Sequence, residues 1–330
     1  MQFRIEVPML QSTLAPSAGF SSISIRRLGV YLGAEVTGVD LTGDLAAETA
    51  DEIKRAHAEY GVLVFPRQKL TSEDLKRFGR SIGELTVHPF STSSEDAPEL
   101  IVYDNKEGNP PPHTDIWHTD ETFRDCPPMG TMLCSKIIPE VGGDTAFCSM
   151  QAAFAGLSDH MQQFISGLEA VHDFKPFKDF FRDSSEKGRA QLRKYEDLYP
   201  LAVHPVVRIH PVTGRKVLFV NPQFTICIKD MEENESHGLL DTLYRTINTL
   251  EYQYRHRWEP DTVVFWDNRS VLHAAVHDYY PQRRMLERIT IKGERPFGPP
   301  ALASSELRRL KVPWVGDFPN RPKRQHELDG

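Results

Sequence analysis

Residues 116–121 read Ile116-Trp117-His118-Thr119-Asp120-Glu121. In an extended segment, side chains two apart leave the same face, so His118 and Asp120 would present an imidazole and a carboxylate together. A second imidazole would complete a two-His, one-carboxylate set, which holds Fe(II) and leaves three coordination positions open. Open positions are what an enzyme needs to gather a co-substrate and O2 on one metal. His273, just after an expected strand over 262–266, is the best-placed third ligand. Alone, one His-x-Asp among 13 histidines reads more simply as a hydrogen-bonded His beside an acidic cap.

Downstream, the stretch 284–291 reads as a strand that puts Arg284, Leu286 and Arg288 on one face. The two arginines then start roughly 13 Å apart, at about 3.3 Å per residue, far enough to clamp two anions on two sides of one metal. A planar guanidinium fork suits a carboxylate or a sulfonate. Taken alone, two strand arginines read as a salt-bridged, solvated face. Pro281-Gln282 between His273 and Arg284 reads as a turn.

These residues need a β-rich scaffold. Strands are expected over 62–65, 206–210, 217–221, 262–266 and 284–291, and Pro211 to Gly214 closes a tight hairpin. Helices are expected over 45–60, ended by Gly61, and from the Thr71-Ser72-Glu73-Asp74 cap. Two more are expected, from Ser158 to about Glu169 and from Glu232 to Leu250. Short strands with few βα repeats indicate a β-sandwich or jelly roll with helices packed outside.

The whole chain has 330 residues, 39% of them hydrophobic, enough for a large core. A net charge of −7 argues against a general nucleic-acid or anionic-membrane binder. No run approaches the apolar length of a membrane span, and residues 1–22 lack a secretory pattern. Cys126, Cys134, Cys148 and Cys227 form no CxxC pair and no disulfide framework. The expected compartment is therefore the reducing cytoplasm. Residues 1–23 read as a loose arm, 24–298 as one domain, and the Pro-rich 299–330 as a C-terminal extension.

Several ordered motifs together resemble the taurine dioxygenase (TauD/TfdA) family of Fe(II)/2-oxoglutarate-dependent oxygenases. They are Trp117 to Asp120, Gly142-Gly143-Asp144-Thr145, Trp266-Asp267-Asn268-Arg269, His273 and Pro281 to Arg284. Gly33 to Leu41, Gly83 to Leu85 with His88-Pro89, and Leu218 to Asn221 extend the likeness over about residues 24–298. The resemblance implies a mainly β, clavaminate synthase-like double-stranded β-helix (jelly roll). It implies Fe(II) on His118, Asp120 and His273, with 2-oxoglutarate and O2 as co-substrates. Arg284 and Thr145 would hold the distal carboxylate of 2-oxoglutarate, although by itself Thr145 reads only as a strand-starting Thr after a Gly-Gly turn. Arg288 and His88 would meet the substrate anion, His88 being otherwise a core His bonded to a carbonyl. The backbone N–H of Glu121 would face the same anion, and Phe224 would line the pocket or simply pack. No separate acid or base is implied, and His113, on a loop after three prolines, receives no metal role.

The implied reaction hydroxylates a C–H bond beside an anionic group. On a sulfonate it releases an aldehyde and sulfite, with succinate and CO2 as co-products. An intact Asp120 favours hydroxylation over halogenation. Ser91 stands where taurine enzymes carry an aromatic residue, and 112–115 departs from their Asn-rich stretch, so a bulkier sulfonate or a sulfate ester fits better than taurine. The alternatives are an alkylsulfatase, an aryloxyalkanoate or carboxylate hydroxylase, and a metal-holding jelly roll without turnover. A Zn²⁺ hydrolase on the same three residues would leave Arg284 without a role. Family relatives imply a homo-oligomer, dimer or tetramer.

Overall fold

The computed structural model describes residues 19–90, 96–106, 114–178 and 186–300. Ser91, His113 and nearly all of the expected arm and C-terminal extension lie outside these residues. Of the arm, residues 19–23 are described, and they are docked rather than loose. Ser21 and Ser22 donate backbone N–H bonds to Glu52 at 2.7 and 2.9 Å, and Ile23 is buried.

A seven-stranded sheet runs in the order Ser24–Arg27, Ala34–Thr37, Val62–Phe65, Val263–Asp267, Gly130–Ile137, Arg284–Ile291, Ile101–Asn105. A smaller sheet faces it, with Thr145–Ser149 between Gln253–His256 and Val271–Ala275. Together they form the two leaves of a jelly roll with helices outside. A three-stranded sheet (Thr225–Ile228, Glu169–His172, Ala202–Pro205) and the hairpin of Val207–Ile209 with Lys216–Leu218 extend the fold.

Alternation along the strands builds three layers of core. Leu63, Phe65, Met132, Cys134, Val263, Phe265, Ile289 and Ile291 pack outward against Ile53, Ala56, Leu75 and Phe78. Those four come from the helices Ala47–Tyr60 and Ser72–Ile82. The intervening residues Val62, Val64, Leu133, Val264, Trp266 and Leu286 point inward and meet Phe147 and Val271 of the smaller sheet. Cys148 and Leu272, on that sheet's far face, pack with Phe154, Ile165 and Leu240 of the outer helices. The period of two thus puts Arg284 and Arg288 on the inner face with Leu286, opposite His273.

The expected strands 62–65 and 284–291 occur with those bounds, and the other three shift by one to three residues at their ends. Gly61 ends its helix at φ 69°, and Thr71 and Asp74 form the reciprocal capping box. Ser158 caps a helix, but that helix stops at Ile165 rather than near Glu169. Gly167 adopts φ 92°, a left-handed conformation that breaks the helix, and Glu169 opens a strand. The expected 232–250 helix is regular only over Glu233–Tyr244 and continues as two short 3-10 turns. Thr246, Ile247, Asn248 and Thr249 are all weak helix formers, which accounts for the change. No helix among the described residues is long and apolar enough to cross a membrane.

Candidate active site

His118 and Asp120 are not on a regular strand. A single antiparallel bridge pins His118 to His273, with reciprocal backbone bonds of 3.0 and 2.7 Å, and the chain turns at Asp120. The bridge sets both imidazoles side by side, their centroids 4.1 Å apart. Asp120 Oδ1 lies 3.9 Å from His118 Nε2 and 3.8 Å from His273 Nε2. One ligand atom from each residue falls within 4.8 Å of the other two, and all three residues are buried.

The chemistry of this donor set fits a divalent metal. His118 Nδ1 sits 2.7 Å from the Ile116 carbonyl, so the proton belongs there and Nε2 keeps its lone pair. Burial pushes both histidines below the ordinary imidazole range, so they are neutral at pH 7, as ligation requires. Burial alone would raise the Asp120 carboxyl. Arg288, the two imidazoles and a Thr131 hydroxyl bond of 2.5 Å instead hold it well below the usual carboxylate range.

Fifteen residues line an open cleft of about 600 Å³, counting its mouth, and among them are His118, Asp120, His273, Thr145, Arg284 and Arg288. Arg284 occupies one end between the rings of Trp258 and Tyr279, 5.8 and 5.7 Å from their centroids. Among the described residues no carboxylate pairs with it, and its Nε is buried without a partner. Burial, opposed by Tyr279 and Asp144, pushes its pKa down to about 10. Gly143, at φ 74°, gives Arg284 its passage: a Cβ there would stand 3.1 Å from Arg284 Cδ and Nε. Thr145 Oγ1 accepts a 3.0 Å bond from Trp258 Nε1. An indole N–H can only donate, so the Thr145 proton remains free to be given to an anion beside Arg284.

Arg288 is the paired arginine. It lies 3.0 Å from Asp120 Oδ1 and 3.8 Å from Glu121 Oε1, and it donates to the Tyr103 hydroxyl at 3.0 Å. His88, Glu121 and Phe224 do not line this cleft. His88 is buried beside Phe90 and Phe177, and burial with the nearby Arg288 charge lowers its pKa to about 3. Glu121 takes φ 51°, and its carboxylate is 2.7 Å from Arg124 Nε. Burial raises that carboxyl to about 7, against the pull of Arg124 and Arg288. Phe224 meets the His118 ring edge-on at 6.2 Å and otherwise belongs to an aromatic cluster with Phe123 and Phe174.

Sequence reasoning missed Tyr103 and Tyr279 as cleft groups, Trp258 as the partner of Thr145, and Thr131 and Asn268 as partners of Asp120. A buried Trp or Tyr needs a partner for its polar atom, and that requirement was the available signal for three of them.

The chain also matches known proteins along most of its length. The model of the family described as "Taurine catabolism dioxygenase TauD, TfdA family" fits residues 24–290. An alpha-ketoglutarate-dependent sulfonate dioxygenase of Saccharomyces cerevisiae is 33% identical, over 86% of this chain and 70% of that protein. An alpha-ketoglutarate-dependent sulfate ester dioxygenase of Pseudomonas putida is 31% identical, over 88% and 96%. The crystal structure of a taurine dioxygenase from Burkholderia xenovorans superposes with a TM-score of 0.72 at 32% identity, covering 86% of this chain and 93% of that one.

Proposed function

From the fact that the chain belongs to the TauD/TfdA family and is a 2-oxoglutarate-dependent dioxygenase, we infer that it oxidises an organosulfonate bulkier than taurine. One observation carries the reading: the His118, Asp120 and His273 set, Arg284 with no carboxylate ion-paired to it among the described residues, and the second cation Arg288 all open into one cleft.

His118, Asp120 and His273 would hold Fe(II), which when bound couples decarboxylation of 2-oxoglutarate by O2 to hydroxylation of a substrate C–H bond. Arg284 receives the distal carboxylate of 2-oxoglutarate, and the Thr145 proton completes its recognition. Arg288 draws the sulfonate toward the metal-facing side, where Tyr103 steadies the guanidinium. Phe224 packs edge-on behind the His118 ring, and buried His88 sits near the Arg288 charge. These groups orient two anions and exclude water, and no side chain is needed as an acid or base. Hydroxylation of the carbon bearing the sulfonate gives a product that collapses to an aldehyde and sulfite, while 2-oxoglutarate leaves as succinate and CO2. The similarity to the Pseudomonas putida enzyme supports a second substrate class, sulfate esters, on the same anion site. The reaction suits a reducing cytoplasm, and the described cysteines are all free thiols.

The test is an anaerobic preparation given Fe(II), ascorbate and 2-oxoglutarate, then exposed to air with taurine, longer alkyl sulfonates, sulfate esters or aryloxyacetates. Succinate and sulfite should rise together with the longer sulfonates. Sulfate release without sulfite would move the substrate to the ester class. Succinate that no anion stimulates would sink the assignment.

A further inference from the structure

Behind Asp120 runs a chain of hydrogen bonds whose direction is set at its far end. Trp266 Nε1, which can only donate, gives its proton to Asn268 Oδ1 at 2.9 Å. That contact fixes which way the Asn268 amide faces, so Nδ2 donates to Thr131 Oγ1, also at 2.9 Å. With that lone pair engaged, the single Thr131 proton goes to Asp120 Oδ2 at 2.5 Å. Thr119 Oγ1 adds a 2.7 Å bond to the Asn268 carbonyl, and the Asp120 N–H reaches Asn268 Oδ1 at 3.4 Å. All five residues are buried, so water does not compete for any link.

The consequence falls on the two oxygens of Asp120. Oδ2 is committed to Thr131, and Oδ1 is the oxygen within 3.9 Å of both imidazole Nε2 atoms, with Arg288 Nη2 also 3.0 Å from it. A carboxylate free to rotate would offer both oxygens to a metal and close a position that a co-substrate or O2 requires. We propose that Trp266, Asn268 and Thr131 are positioning residues that restrict Asp120 to one metal-facing oxygen. The proposal rests on the reading of His118, Asp120 and His273 as metal ligands. It adds why a three-residue ligand set keeps three positions open.

The test titrates Co(II) into the metal-free full chain, without 2-oxoglutarate or substrate, by calorimetry and visible absorption. Wild type should take up one Co(II), and Asp120→Ala should lose that uptake. Thr131→Val, close in volume, should bind Co(II) about 10-fold or more weakly and change the d–d bands, since loss of a ligand's hydrogen-bond partner typically costs about 10–100-fold. Loss of the hydroxyl leaves buried Asn268 Nδ2 and Asp120 Oδ2 without that partner, so the variant's melting temperature should fall, and the titrations are run well below it. Thr131→Ser should restore both affinity and spectrum, which a purely packing role for the methyl group would not predict. Asn268→Ala, one link further back, carries the same comparison if the valine variant does not fold. Uptake that is missing in wild type, or unchanged in Asp120→Ala, overturns the ligand reading itself. Tight wild-type binding, with affinity and bands unchanged in Thr131→Val or Asn268→Ala, overturns this inference and leaves the ligands standing.

Discussion

Arg284 is 7% exposed and pairs with no carboxylate among the described residues, so Arg284→Met removes a buried guanidinium while leaving a side chain that packs between Trp258 and Tyr279. Burial pushes the arginine well below its ordinary value, down to about 10. At about 1.36 kcal/mol per pKa unit, keeping this cation buried without an anion costs on the order of 3 kcal/mol. A base with a depressed folded-state pKa carries that cost in full below the folded value, so it operates at neutral pH. The methionine variant should therefore unfold at higher urea than wild type when 2-oxoglutarate is left out, by about 1–3 kcal/mol once lost hydrogen bonds are discounted. Binding should move the other way. Truncating one side of a buried charge pair costs at least about 2 kcal/mol, or a roughly 30-fold rise in Kd for 2-oxoglutarate. Paired urea curves with and without saturating 2-oxoglutarate read both effects, because a ligand that binds only the folded form adds stability by mass action. Wild type should gain strongly from the ligand and Arg284→Met hardly at all. A variant that is less stable than wild type without 2-oxoglutarate, or that keeps wild-type affinity, would refute the view of Arg284 as an anion receptor held in waiting.

Two further outcomes follow from the same geometry. Trp258→Phe retains the ring over Arg284 but frees the Thr145 rotor, so the Kd for 2-oxoglutarate should rise about 5-fold, the worth of roughly one hydrogen bond; calorimetry on the Zn²⁺-loaded protein measures it. Burial lowers His57, His204 and His256 to about 4 each, so they are neutral when folded while the unfolded chain protonates near 6.5. The unfolded state then binds more protons between about pH 6.5 and 4, and stability should fall steadily as pH drops through that window. A flat urea midpoint across this range would contradict it.

Much of the site was readable in advance because its logic is periodic. Arg284, Leu286 and Arg288 share a face by the two-residue repeat, and a strand with those bounds points them into the cleft. His118 and Asp120 reached one site by a different route, a single bridge followed by a turn, since backbone pairing at one residue leaves no pattern in sequence. The helix after Ser158 was legible at its cap and misread at its end, where Gly167 is left-handed. Tyr103 and Trp258 stayed hidden because each matters through a partner far along the chain, Arg288 and Thr145, and pairing of that kind is decided by sheet order. Glu121 was placed by its backbone N–H, whereas its buried carboxylate near Arg124 and Arg288 is what the fold emphasises.

The reciprocal bonds between His118 and His273 have a bearing on how the protein is made and loaded. They align the two histidines through main-chain pairing, and the Ile116 carbonyl orients the His118 ring, so neither contact calls on a metal. A frame pinned in this way would leave the choice of ion to supply and to the affinity order of divalent ions. A cell or a purification rich in copper, nickel or zinc would fill the same frame with an ion unable to do the chemistry. Activity measured on any preparation would then depend on its metallation history.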